Sequence, residues 1–339
     1  MKVIRVVTPN SIKIENDPMP KIEAKDDVIL KVKSAGICGS DVSIFGGTSP
    51  VATYPRVIGH EFAGEIIELG EDVQNLKIGD HVTTNPVFNC GVCRICQKGR
   101  GNVCANLKVM GVHLDGGYRE YVKVPSKNIF KLDPTLSWEK AAVIEAYTVA
   151  AQVVDRGGIE KDDIVLICGS GQIALTILQV CNIIGAKCIM TDIIEDRLKK
   201  ATEFGAAHVI NSKNEDVVSK VKELTNGIGA DVAIDAACVG VSLKQAALGV
   251  RPAGVVVTMG FHDAVAQISE FTITSRELDI RGSRLNNNKF PEIIKWFQED
   301  KLDPTKIITH HFHFTDIEKA FAQIKKDPEN TMKIILDFD

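Results

Sequence analysis

The spacing of apolar residues along the chain changes character at two places. Up to about residue 147 the apolar positions fall in short alternating or β-branched runs, at 28–32, 64–69, 81–84 and 121–124, broken by Gly, Pro and Asn. Alternation over so few residues predicts strands, so this stretch reads as a β-rich domain with irregular loops. From Lys161 onward, strand-length apolar runs at 164–168, 188–192, 208–210, 232–235 and 255–259 alternate with helical-period segments at 173–184, 197–204, 216–224 and 242–248. Such alternation predicts an α/β domain, a doubly wound parallel sheet with helices on both faces. Near Asn288 the pattern shifts again, to helices at 290–298 and 317–326 and a terminal strand at 332–338. That tail is expected to fold back onto the first domain, giving one domain from 1–147 with 288–339 and a second at 148–287.

Composition narrows the class. The formal net charge is −4, so the chain offers no general attraction to nucleic acid or to an anionic membrane. Its longest apolar runs are of strand length, well short of a membrane span. The opening, MKVIRVVTPN, reads as a strand and not as a signal. The expectation is a soluble, cytoplasmic protein in a reducing compartment. Cys168, Cys181, Cys188 and Cys238 lie in apolar runs and read as small core residues. His310, His311 and His313 alternate into a strand beside Phe312 and Phe314, a surface strand before a metal site.

Four further cysteines stand together at about 88–106. Cys90, Cys93, Cys96 and Cys104 are separated by two, two and seven residues. Thiolates this close in sequence can converge on one tetrahedral ion, and zinc in a structural site takes four such ligands. Iron–sulfur spacings differ from this one. Disulfides do not suit a reducing compartment, and buried thiols seldom cluster among Asn89, Gly91, Arg94, Gln97, Lys98 and Gly99. Structural zinc is the reading.

The strand at 164–168 runs into Gly169-Ser170-Gly171-Gln172-Ile173-Ala174 and then a helix. Gly169 permits a tight turn, Gly171 lets backbone approach a pyrophosphate at the helix N-terminus, and Ala174 allows close helix–strand packing. Asp192 ends the next strand about twenty residues on, where a carboxylate accepts ribose hydroxyls and repels a 2′-phosphate. This predicts NAD in preference to NADP. The plainer role for Asp192 is a cap on the segment that follows. Arg197 lies beyond it, on the adenine side or in solvent.

Upstream, Gly36-Ile37-Cys38-Gly39-Ser40-Asp41 and Gly59-His60-Glu61 carry one sulfur and one imidazole ligand. With a carboxylate and an open position they can hold a catalytic zinc. The carboxylate is Glu61, or Glu145 in the otherwise apolar 141–146, where an isolated charge would be costly. Each residue singly also has a structural explanation: a core thiol, a core histidine, a helix-surface acid.

Gly59-His60-Glu61 with Gly64, Gly70 and Val73, the four-cysteine lobe, the Cys38-Gly39-Ser40-Asp41 turn and the glycine motif, in this order, resemble the zinc-containing medium-chain alcohol dehydrogenases over essentially the whole chain. The resemblance is closest to the polyol and sugar-acid branch. Tyr54-Pro55-Arg56-Val57-Ile58-Gly59-His60-Glu61, Gly111-Val112-His113-Leu114-Asp115-Gly116-Gly117 and Ser283-Arg284-Leu285-Asn286 are similar to the bacterial starvation-sensing protein B group. The resemblance implies a GroES-like catalytic domain, a Rossmann domain and a cleft between them, with a catalytic and a structural zinc, NAD, and assembly as a homodimer or homotetramer. It assigns Cys38, His60 and Glu145 to the catalytic zinc and makes Glu61 an alternate ligand. Ser40 becomes the hydroxyl that hydrogen-bonds the substrate alcohol, and Asp41 the acceptor that orients His60.

Three positions depart from the family pattern. Ser43 stands where many relatives carry a proton-relaying His, Ala146 follows Glu145 where Pro is frequent, and Gln172 replaces a Pro in the glycine turn. The implied reaction is oxidation of a secondary alcohol at C5 of a sugar acid such as L-gulonate or L-galactonate. Arg56 and Arg284 are the candidates for its carboxylate, and His113 for a hydroxyl. Alternatives are a polyol or L-threonine dehydrogenase, or a low-turnover regulatory protein that keeps NAD and zinc.

Overall fold

The computed structural model describes residues 1–263 and 265–338. It divides into two compact units, Met1–Ala146 with Asn286–Asp339, and Tyr147–Leu285.

The first unit is built around a seven-stranded sheet. Its axis is Asp27–Gly36, which pairs antiparallel with Glu61–Leu69 on one side and with Lys333–Asp337 on the other; Tyr121–Pro125 extends the pairing near its start. Val28, Ile29, Leu30, Val32 and Ala35 are all buried, so this strand is covered on both faces. The chain end joins the sheet because Ile334, Ile335 and Leu336 can bury themselves only against the first unit's core. The same register brings Ile335 opposite Gly36. Ile308–His313 lies outermost, parallel to Lys333–Asp337, and its His311 sits between Glu139 at 3.2 Å and Asp337 at 3.1 Å. The alternating histidines therefore form a polar strand with acidic neighbours. A helix over Gly39–Phe45 follows the central strand directly and carries Ser40 and Asp41.

The second unit holds six parallel strands in the order His208–Asn211, Lys187–Asp192, Ile164–Cys168, Ala230–Asp235, Val250–Thr258, Asp279–Gly282. Numbered along the chain this is 3-2-1-4-5-6, the order of a dinucleotide-binding sheet. The hydrophobic runs predicted as strands form the first five. The edge strand Asp279–Gly282 carries charge at alternate positions and had no apolar run to announce it. The helix Ile144–Gly157 was also missed, because Glu145, Tyr147 and Thr148 interrupt its apolar face. Cys238 corrects the core reading: it is half-buried, with a left-handed φ of 57° in the turn after Ala230–Asp235. No helix of the described residues is long and apolar enough to cross a membrane.

Candidate metal and nucleotide sites

The four lobe cysteines converge. Cys93 Sγ lies 3.5 Å from Cys96 Sγ and 3.8 Å from Cys104 Sγ, and Cys104 Sγ lies 3.4 Å from Cys90 Sγ. Disulfide sulfurs would be bonded at about 2.05 Å, so these are free thiols. A tetrahedron with zinc–sulfur bonds of about 2.3 Å has edges of about 3.8 Å, close to the separations found. Backbone N–H groups of Cys90 and Asn106 point at Cys104 Sγ, as they would toward a thiolate. The Ala105 and Cys96 N–H groups draw the Cys93 thiol down to about 6. Burial, then the Cys93 neighbour, pushes Cys96 up to about 12. A cation among these sulfurs would favour their thiolate forms, which ligation requires.

A second donor group joins Cys38, His60 and Glu61, one ligand atom from each lying within 4.8 Å of the others. Sequence-distant segments meet here for a packing reason. Gly59 has φ of 92°, and a Cβ there would sit 2.1 Å from the Tyr118 ring, so only glycine admits the turn that presents His60. Tyr118, fully buried, approaches both the Gly36 carbonyl and Asp41 Oδ2 at 2.9 Å. Asp41 Oδ2 also accepts the Cys38 N–H at 2.9 Å, and Oδ1 accepts the Gly59 N–H at 3.1 Å. One buried carboxylate thereby ties the Cys38 turn to the His60 turn.

Asp41 was expected to take the ring N–H of His60. The separation from Nδ1 is 3.9 Å, too long for a hydrogen bond, and Nδ1 has no partner. Asp41 instead acts on the two backbones and on the imidazole electrostatically. Burial alone would depress His60, but the Cys38 sulfur, then Asp41 and Glu145, overcome it and raise His60 well above its usual value. Glu145, in the first turn of Ile144–Gly157, is pushed up to about 7 by burial, with Glu61 adding like-charge repulsion. Acidic groups crowded around one imidazole, with Ser40 Oγ hidden and unpartnered, are a donor set that suits a divalent cation.

Two members of this group escaped the sequence reading. Lys333 is almost fully buried and pairs with Glu61 Oε2 at 2.5 Å while donating to the Ile37 carbonyl at 3.0 Å. Its signal was a lysine inside the apolar strand 332–338. Tyr118 had none beyond its place after two glycines.

In the second unit, Gly169 has φ of 105° and no room for a Cβ beside Ala237. Gly171 is the N-cap of the helix Gln172–Ile184, and a Cβ there would meet nothing within 4 Å. Gln172 and Ile173 form the first turn and Ala174 is fully buried. A bare turn at the head of a long helix fits a pyrophosphate. Asp192 Oδ2 accepts the Ser170 N–H at 2.8 Å, and Oδ1 accepts the Ile194 N–H at 3.0 Å. It therefore also anchors the entry to the helix Glu195–Glu203, whose first turn contains Arg197.

Arg56, a candidate for a substrate carboxylate, is already engaged within the protein: Nη1 donates to Asp115 at 2.9 Å and Nη2 to Thr53 at 2.7 Å. Ser43, which stands where many relatives carry His, donates its hydroxyl to the Gly39 carbonyl one helical turn back, at 3.1 Å. His113 Nδ1 accepts the Val109 N–H in its own turn, at 3.2 Å, and Arg284 lies over the Phe261 ring at 4.6 Å.

Comparison with known proteins agrees with this chemistry. Residues 24–134 match the alcohol dehydrogenase GroES-like domain, and residues 173–299 match the zinc-binding dehydrogenase family. The starvation-sensing protein RspB of Escherichia coli K12 is 41% identical, over 100% of this chain and 99% of its own. The chain belongs to the zinc-containing medium-chain alcohol dehydrogenases. L-Galactonate-5-dehydrogenase of the same strain is 30% identical over 94% of this chain and 93% of its own. The crystal structure of an alcohol dehydrogenase (rspB) from E. coli CFT073, complexed with NADH, matches with a TM-score of 0.94 and 40% identity, over 100% of this chain and 99% of that one. Membership makes this protein an oxidoreductase of the sugar and polyol branch, with zinc and a nicotinamide dinucleotide as cofactors.

Metal analysis should separate the two centres. Cys96→Ser is expected to lose the lobe ion and lower the melting temperature, whereas Cys38→Ala loses the other ion and abolishes turnover with a smaller thermal change. Zinc uptake by metal-free protein at the Cys38–His60 centre should weaken steadily as pH falls, because the ion must displace the proton that Cys38, Asp41 and Glu145 hold on His60, and the Glu145 proton where that carboxylate is the ligand. Calorimetry in buffers of different ionisation enthalpy reads the protons released. Ser43→Ala should leave kcat within about twofold, since its hydroxyl is engaged in a helix turn.

Proposed function

We propose that this chain oxidises a secondary alcohol of an aldonate, such as L-gulonate or L-galactonate at C5, to the ketone with NAD as acceptor. The observation that carries the reading is the cluster of half-buried Cys38 with buried His60 and Glu61, flanked by Glu145, in a chain that also has the bare glycine turn and Asp192. Cys38 and His60, with a carboxylate from Glu61 or Glu145, would hold the catalytic zinc, and Cys90, Cys93, Cys96 and Cys104 the structural one. When bound, the catalytic ion supplies Lewis-acid polarisation that makes a substrate hydroxyl more acidic.

The chain's own residues supply the rest. Ser40 has a hidden hydroxyl with no protein partner, which supports a hydrogen bond to the reacting alcohol. Asp41 and Tyr118 keep the Cys38 and His60 turns in fixed relation, so that alignment is set before substrate arrives. Asp192 spends one hydrogen bond on each oxygen, and a carboxylate has about four acceptor sites. Lone pairs remain for ribose hydroxyls, while its charge opposes a 2′-phosphate. That supports NAD over NADP.

The sugar-acid reading is supported by the similarity to L-galactonate-5-dehydrogenase. A neutral polyol is the second reading, favoured by the commitment of Arg56 to Asp115. Purified protein should be screened with NAD against L-gulonate, L-galactonate, sorbitol and L-threonine. Aldonates giving the highest kcat/KM, with Arg284→Gln raising KM for them alone, is the expected result; activity confined to polyols would displace the aldonate reading. Asp192→Ala should narrow the preference for NAD over NADP by about tenfold or more, the loss of a charged hydrogen bond to ribose.

A further inference from the structure

The turn after Ala230–Asp235 stands beside the glycine turn at one edge of the parallel sheet, with Asp235 level with Cys168 in the strand register. The Ala236 and Ala237 N–H groups both donate to the Cys168 carbonyl, at 3.0 and 2.7 Å. Ala237 also fills the space beside Gly169, where a Cβ would stand 2.9 Å from the Ala237 nitrogen. One residue further on, Cys238 is held at a φ of 57°, a left-handed conformation that disfavours any side chain. Two groups hold it there. Asp235 Oδ1 accepts the Cys238 N–H at 2.9 Å and the Ser242 hydroxyl at 2.6 Å, and the Cys238 carbonyl accepts a ring N–H from His262. Asp235 and Ser242 are buried whereas His262 is exposed, so the carboxylate is the brace that water does not compete for.

We infer that Asp235 is a positioning residue for the dinucleotide: by holding Cys238 left-handed it keeps Ala236 and Ala237 against the glycine turn, which is then formed before the pyrophosphate arrives. Without the carboxylate, Cys238 relaxes toward an ordinary φ, and the two N–H groups on the Cys168 carbonyl move with it. The glycine turn is then correctly shaped in only a fraction of molecules, and apparent affinity falls by that fraction. Asp235 acts through the backbone of 236–238 and not by contact with the nucleotide. The inference rests on the reading of 169–174 as the dinucleotide site and deepens it, by naming a residue on a different strand that sets the shape of the turn.

Titration of zinc-loaded protein with NADH, followed by nicotinamide fluorescence, tests this. Asp235→Ala should weaken NADH binding by about tenfold, the scale on which a residue other than glycine leaves the left-handed region. It should raise the KM for NAD without lowering kcat at saturating NAD. Asp235→Asn keeps an acceptor oxygen for the Cys238 N–H and should stay within about threefold of wild type. The deciding variant adds Cys238→Gly to Asp235→Ala. Glycine adopts positive φ without a brace, so the double variant should regain most of the lost affinity, which a general structural defect would not. Should Asp235→Ala not fold, Ser242→Ala carries the same comparison with a smaller weakening, again relieved by Cys238→Gly. Undiminished affinity in folded Asp235→Ala, or a loss that Cys238→Gly does not relieve, overturns the inference. Gly171→Val tests the underlying reading separately, because a Cβ there meets nothing within 4 Å and the variant should fold yet lose NADH. If Gly171→Val binds NADH normally, the glycine-turn reading itself fails; if it loses NADH while Asp235→Ala does not, only the inference on Asp235 fails.

Discussion

The catalytic unit depends on compensating charge where water cannot reach. Asp41, Glu61 and Glu145 are all buried, and unpaired carboxylates in such a place would be costly enough to unfold a marginally stable domain. Each is held differently. Asp41 takes backbone N–H groups and the Tyr118 hydroxyl, Glu61 takes Lys333, and Glu145 yields by accepting a proton near neutrality. A divalent cation held by Cys38 and His60 would add compensating charge beside Glu61 and Glu145, so that metal binding and fold stability would draw on the same group of side chains.

That coupling explains details that are otherwise arbitrary. Gly36, Gly59 and Tyr118 are not among the candidate metal ligands, yet they shape the space in which the charged groups meet. Tyr118 fills the volume that a Cβ on Gly59 would need, and Gly36 leaves open the volume that Glu61 and Lys333 occupy. At Ser43 the hydroxyl is tied to the Gly39 carbonyl within the short helix that bears Ser40 and Asp41.

Much of the molecule was legible in the chain because its signals are local. Cysteines at short spacing, a glycine turn between an apolar run and a helical period, and Asp192 at the end of the next strand each confine chemistry to a few consecutive residues. So too with the parallel sheet, whose first five strands are marked by apolar runs, although in His208–Asn211 only Ile210 is buried. Edge strand Asp279–Gly282 and the helix Ile144–Gly157 gave weaker signals, since neither presents a clean apolar period.

What the sequence by itself determined was the inventory: two groups of soft and acidic ligands, a nucleotide turn, and the class of oxidation they serve. Only the tertiary structure decided which ionised groups face one another. Arg56 went to Asp115, and Lys333 crossed most of the chain's length to reach Glu61. The physical reason is that charge pairing acts through space over a few ångströms, and partners at that distance are chosen by strand register and packing, which no local pattern encodes.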